Sequence, residues 1–210
     1  MPGARMQAVG HTGDLFGVGE PAHERLVRLS YAMEPDVRDT LVRFDRVPGA
    51  RVLAYGCGPP GALLPLSDAV GPTGTVVGVD RSGEALRTAR ALLAARGVAN
   101  VRLVQAAINA LALGVVCAAG PFDLAYGHAV LCDQRDVVGA LRRIAATVRP
   151  GGHSVTQEAV MTAPIPVEAP DRFGRAANLL IPGGGTGGLF TVAATLGGVT
   201  GSAQEGCPLG

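Results

Sequence analysis

The sequence predicts an α/β fold built on a doubly wound, mainly parallel sheet. Three observations carry that expectation. Short apolar runs alternate with helical stretches from residue 51 to residue 158, the first run ends in a glycine turn, and the second ends in an acid. In such a sheet the carboxyl edge of the strands holds the ligand.

Taken in order, residues 21–46 read as one or two helices. Leu26, Leu29, Met33, Val37 and Leu41 recur at three or four positions, and Pro35 marks a break. Strand one is 51–55, followed by a helix over 60–70 with Leu63, Leu64 and Leu66, and strand two is 75–80. Ser82 suits the N-cap of a helix over 83–96, which Gly97 stops. Strand three is 101–105 and strand four 122–127. A helix over 136–148 carries Val137, Val138, Leu141, Ile144, Ala145 and Val148 on a face expected to be core, and strand five is 152–158.

The turn after strand one, Gly56-Cys57-Gly58-Pro59-Pro60-Gly61, spells the G-x-G-x-x-G pattern, and Asp80 follows Gly61 by 19 residues. Glycines there let the backbone approach a ligand, and an acid ending strand two can accept hydrogen bonds from a ribose. Pro59 and Pro60 argue against a dinucleotide, because they lack the N–H groups that a pyrophosphate would need at a helix N-terminus. A ligand without phosphates loses little there, and proline fits the first turn of a helix. The chain contains no lysine, which excludes dehydrogenases that use one in catalysis.

Further on come Pro121-Phe122-Asp123-Leu124-Ala125-Tyr126, the helical stretch 136–149 and Arg149-Pro150-Gly151-Gly152-His153. With the glycine turn, Asp80 and the Gly71-Pro72-Thr73-Gly74 turn, this order resembles the class I S-adenosylmethionine-dependent methyltransferases over roughly residues 20–160. Ala22-His23-Glu24-Arg25-Leu26 is similar to the amino-terminal helix of their bacterial small-molecule branch. The resemblance implies a Rossmann-like core, S-adenosyl-L-methionine as cofactor and a small-molecule acceptor. It places Gly56, Cys57, Gly58, Gly61, Asp80, Arg81, Ala107 and Tyr126 around the cofactor and makes His128, in the loop after strand four, the candidate base. Asp133 reads as the N-cap of the next helix, and Gln157 and Glu158 as pocket-lining or strand-ending residues.

Two acids usual in that family are absent. Ala54 stands two residues before the first loop glycine, and Ala107 stands where an acid would meet the adenine, with Asn109 near enough to compensate. Methyl transfer to a small molecule is the leading expectation. A non-catalytic methyltransferase-like binding or assembly protein, and an enzyme of this fold with a different reaction, remain open beside it.

The expected organisation is a helical cap over 1–48, a cofactor-binding core over 49–160, a helical segment over 161–182 and a flexible glycine-rich tail over 183–210. The tail has 10 glycines and a single charge, Glu205, so ordering it costs much entropy for little burial. Leu189 to Ala193 has strand character but no evident partner, so the family's last strands are expected to be incomplete, and a truncated or frame-shifted end is the sharper hypothesis. At 210 residues and 48% hydrophobic composition the core suits one domain. A net charge of +1 gives no electrostatic case for nucleic acid or an anionic membrane. Cys57, Cys117, Cys132 and Cys207 lack metal-ligand spacing and read as reduced thiols, which with no visible signal peptide or membrane anchor suggests a cytoplasmic protein.

Overall fold

The computed structural model describes residues 20–43, 47–110, 113–160 and 188–195. Helix α1 (Glu20–Leu41) leads into β1 (Arg51–Tyr55), α2 (Leu63–Val70), β2 (Thr75–Asp80), α3 (Gly83–Ala95) and β3 (Val101–Gln105). There follow a 3-10 turn (Ile108–Ala110), α4 (Leu113–Val116), β4 (Phe122–His128), a second 3-10 turn (Leu131–Asp133), α5 (Val137–Thr147), β5 (Val148–Val160) and β6 (Gly188–Thr195). The strands lie in the order β3-β2-β1-β4-β5-β6. All neighbours among β1 to β5 are parallel, and β6 runs antiparallel to β5.

Alternation along the strands divides the core between the two faces of the sheet. Val52, Ala54, Val76, Leu124 and Tyr126 pack with α1, α2 and α3. Leu53, Tyr55, Val77, Val79 and Ala125 pack with α4 and α5 on the other side. A register shift between Phe122 and Leu124 places both Phe122 and Ala125 in the second cluster. Val52, Leu53, Val76 and Phe122 are fully buried, each such side chain contributing about 1.5–3 kcal/mol relative to exposure.

Pro35 does not break α1. An interior proline costs about 3 kcal/mol in an exposed helix, but here Leu29, Met33, Val37 and Leu41 bury one stripe on both sides of it. Arg38 also ties the helix to α2 by bonding Glu34 and Asp68, both at 2.7 Å. Helix α2 begins at Leu63 rather than at residue 60, which leaves Pro59 and Pro60 in the preceding loop.

On α5 the buried residues are Ala140, Ile144 and Thr147, whereas Val137, Val138 and Leu141 stand exposed, so the expected core face is only half right. Its first turn reaches past the sheet's cover, and periodicity alone does not report where a neighbour ends. Leu189 to Ala193 does have a partner. Strand β6 pairs with β5 from Gly188 opposite Val160 to Thr195 opposite His153, so this part of the expected flexible tail is a strand of the sheet. The helical segment expected over 161–182 lies outside the described residues, as do 1–19, 183–187 and 196–210.

Cys57 and Cys132 are free. Cys117 is buried in the cluster that holds Val116, Phe122 and Ile144. No described helix is long and apolar enough to cross a membrane.

Candidate functional site

Parallel strands end in loops at one edge of the sheet, and there the loops after β1, β2, β3 and β4 enclose a cavity of about 430 Å³. Every candidate residue lies on its wall: Gly56, Cys57, Gly58, Gly61, Asp80, Arg81, Ala107, Tyr126 and His128. The stripe Leu26, Leu29, Met33 and Val37 of α1, with Ser30, closes the side. Ser30 links that helix to the glycine loop, its hydroxyl sharing one proton between the Pro59 carbonyl at 2.7 Å and the Leu26 carbonyl at 2.8 Å.

The three glycines have different reasons. Gly56 has φ +59°, and a β-carbon there would come within 2.5 Å of a Val130 methyl. Gly61, at φ +39°, would drive a β-carbon into the Cys57 carbonyl. Gly58, at φ +57°, would meet nothing within 4 Å, because it faces open space. The first two are needed for packing, and the middle one leaves backbone exposed for a ligand.

Asp80 joins this loop to the second strand. Its Oδ2 accepts the Gly58 N–H at 2.8 Å and its Oδ1 accepts the Ser82 N–H at 2.8 Å. Each carboxylate oxygen keeps a further lone pair, enough for a pair of hydroxyls. Ser82 caps α3 as expected, accepting from the Ala85 N–H at 3.2 Å.

Cys57 contributes backbone rather than thiol. Its N–H bonds the Val79 carbonyl at 3.0 Å, while burial, and next the nearby Asp80 charge, push the thiol well above its ordinary range. Tyr126 is 1% exposed, and its hydroxyl donates to Gln157, whose amide donates to Thr40 at 2.9 Å. The hydroxyl is thus committed away from the cavity, and desolvation raises its pKa. Tyr126 offers a ring.

Across the mouth, Arg81 bonds Asp133 at 2.6 Å. Asp133 is therefore not the N-cap of α5. Asp136 is, accepting the Gly139 N–H at 2.8 Å. Ala107 and Asn109 sit beside the opening, where the Asn109 amide makes a long 3.4 Å bond to Gln134. Ala54 is 1% exposed on the cavity floor, and the lining carboxylates are Asp80, Glu84 and Asp133. Glu24 pairs with Arg28 on the solvated side of α1, away from the cavity wall.

His128 ends β4. Its Nε2 is buried without a hydrogen-bond partner among the described residues. Burial lowers its pKa to about 4, against a smaller upward pull from Glu158. The imidazole is neutral at pH 7 and can accept a proton. Ala129, the next residue, has φ +52°, an unusual conformation for alanine.

Sequence reasoning missed Ser30, Gln134 and Arg135 in the wall, and of the two readings left open for Glu158 neither included its bonds to the β4 loop. The spacing of Leu26, Leu29 and Met33 was visible, but a stripe facing a cavity and one facing a core look alike in sequence.

A parallel sheet with a glycine loop, an acid on the neighbouring strand and a cavity between them defines an α/β protein built to hold a nucleoside-bearing cofactor. Residues 46–178 match the family model described as methyltransferase domain. The chain belongs to that family. It is 33% identical over 134 residues to the nocamycin O-methyltransferase of Saccharothrix syringae, covering 63% of this chain and 44% of that protein. It is 36% identical over 106 residues to the aklanonic acid methyltransferase DauC of Streptomyces sp. (strain C5), covering 50% and 46%. The chain thus spans under half the length of these two relatives. Among solved structures, a SAM-dependent methyltransferase from Aquifex aeolicus superposes with a TM-score of 0.58 at 18% identity, over 76% of this chain and 86% of that one.

Proposed function

We propose that the chain binds S-adenosylmethionine in this cavity and transfers its methyl group to an oxygen of a small, largely apolar acceptor. The observation that carries the reading is the junction of Asp80 with Gly58 at the head of the cavity: a carboxylate with spare acceptor capacity beside a backbone that faces open space. Asp80 would hold the ribose hydroxyls, and Gly56 to Gly58 would lie along the cofactor. The names of the two relatives above support a small-molecule acceptor, and one of them supports oxygen.

When bound, the cofactor supplies a methyl group on an electron-poor sulfonium. The protein's part is alignment and proton handling. The apolar stripe of α1 excludes water and suits an apolar acceptor. His128, neutral at pH 7, accepts the hydroxyl hydrogen at Nε2 and takes the proton as the new bond forms. Such a weak base suffices because an oxygen gaining a carbon substituent becomes strongly acidic. Reaching Nε2 also satisfies an atom whose isolation costs about 1–3 kcal/mol.

At Ala54 the fit is incomplete: among the described residues no carboxylate stands on the cavity floor, where one would meet the cofactor's amino group. Calorimetric titration with S-adenosylhomocysteine tests the reading. Saturable one-to-one binding that Asp80→Asn weakens at least tenfold is expected, and no binding up to millimolar concentration would overturn it.

A further inference from the structure

Glu158 lies on β5 two residues beyond Thr156, so the two side chains project from the same face of the strand. Its carboxylate gathers four donors. Oε1 accepts the N–H of Val130 at 3.1 Å, the N–H of Leu131 at 3.0 Å and the Thr156 hydroxyl at 2.8 Å, and Oε2 accepts the N–H of Cys132 at 3.3 Å. Three consecutive amides of one loop thus converge on a single side chain of the neighbouring strand. A turn with its N–H groups on one side is an anion-binding concavity, and here the anion belongs to the protein.

The segment held in this way carries the candidate chemistry. It begins at His128, passes through Ala129 at φ +52°, and ends at Asp133, the partner of Arg81 across the mouth. The Ala129 N–H bonds the Gln157 carbonyl at 2.7 Å, so adjacent residues of β5 fix successive positions of the loop. Val130, whose amide Glu158 holds, also fills the space over Gly56. The anchor therefore reaches the glycine turn through one side chain.

We infer that Glu158 is a positioning residue: its carboxylate sets the loop 128–133, fixing His128 at the cavity wall and locking Val130 over the glycine turn. The inference rests on the proposed function for what the loop does, though not for how the loop is held. Glutamine at 158 can still accept from Val130 and Leu131 but presents an N–H₂ group toward the Cys132 amide. Alanine accepts from none of them.

The test compares the full-length parent, Glu158→Gln and Glu158→Ala by hydrogen exchange and by NMR titration of the His128 ring. Exchange over 129–134 should quicken at least tenfold in the alanine variant and by a smaller factor in the glutamine variant, with β1 and β2 unchanged. Both variants lose the upward pull of the Glu158 charge on the ring, so the comparison between them reports the loop: with its loop released and its ring hydrated, His128 in Glu158→Ala should titrate about one unit or more above its value in Glu158→Gln. Uniform quickening across the sheet, or none, in both variants would show a merely structural or idle carboxylate and overturn the inference. If Glu158→Ala does not fold, the glutamine variant alone decides by the same local criterion. Neither readout needs bound cofactor. Local release of the loop in a protein that binds no S-adenosylhomocysteine would overturn the proposed function and leave the anchor standing, and the reverse pattern would remove the anchor alone.

Discussion

Asp80 accepts a hydrogen bond from the backbone N–H of Gly58 at 2.8 Å. The acid and the glycine turn, 22 residues apart in the chain, are one structural unit, and substituting the acid therefore acts on the loop as well as on a ligand. Asp80→Ala should weaken S-adenosylhomocysteine binding by about 1.5–3 kcal/mol and also lower stability by about 1 kcal/mol through the lost Gly58 and Ser82 bonds. Calorimetry and urea melts on the folded variant check both effects. An unchanged dissociation constant would remove Asp80 from the cofactor site.

Ala54 gives a gain-of-binding prediction. It sits beside Gly78 on one strand and Tyr126 on the other, at 1% exposure on the cavity floor. Ala54→Asp would offer a charge-assisted partner to the cofactor's amino group. Binding should tighten by about 1 kcal/mol, less than a full charged bond because the new carboxylate must be desolvated. The same desolvation should make the ligand-free variant less stable. Equal affinity for parent and variant at matched pH and salt would place the amino group elsewhere.

How much of this was legible in the sequence depended on the range of the interaction. Strands β1 to β4 and helix α3 follow from runs and caps a few residues long, and Asp80 and the glycines follow from steric needs that each residue carries by itself. Pro35 misled because the stripe that overrides it is anchored by Arg38 to Asp68, 30 residues away. Strand β6 was hidden because β5 supplies its pairing partner from across the intervening chain. The anchoring role of Glu158 is hidden for the same reason, since its three amide partners lie 26 to 28 residues away. The covering role of Met33 and Ser30 depends on where α1 docks, which no local pattern encodes.

Truncation after residue 187 tests β6. Composition alone predicts little loss, whereas the pairing of β6 along β5 from His153 to Val160 predicts a real one. Cross-strand pairs contribute about 0.2–1 kcal/mol each, so the loss should be roughly 2 kcal/mol or more. In a chain of this size that is about 4–8 °C in melting temperature. A shift under about 1 °C would mean that β6 adds nothing to the sheet.

His128 makes stability depend on pH. Burial lowers its pKa from 6.5 to about 4 in the folded protein, so between those values the unfolded chain binds a proton that the folded chain refuses. Stability rises with pH wherever the unfolded state holds more protons. The contribution is therefore complete above 6.5 and is lost as pH falls toward 4. Across the full shift it amounts to at most about 3 kcal/mol. His128→Gln removes the titrating group. The parent should lose about 2–3 kcal/mol more than this variant between pH 7.5 and pH 4.5 in urea melts, since the carboxylates shared by both proteins cancel in the difference. Parallel losses in the two proteins would mean that His128 titrates near its ordinary value, and then its ring is not held in the buried position from which it would take a proton.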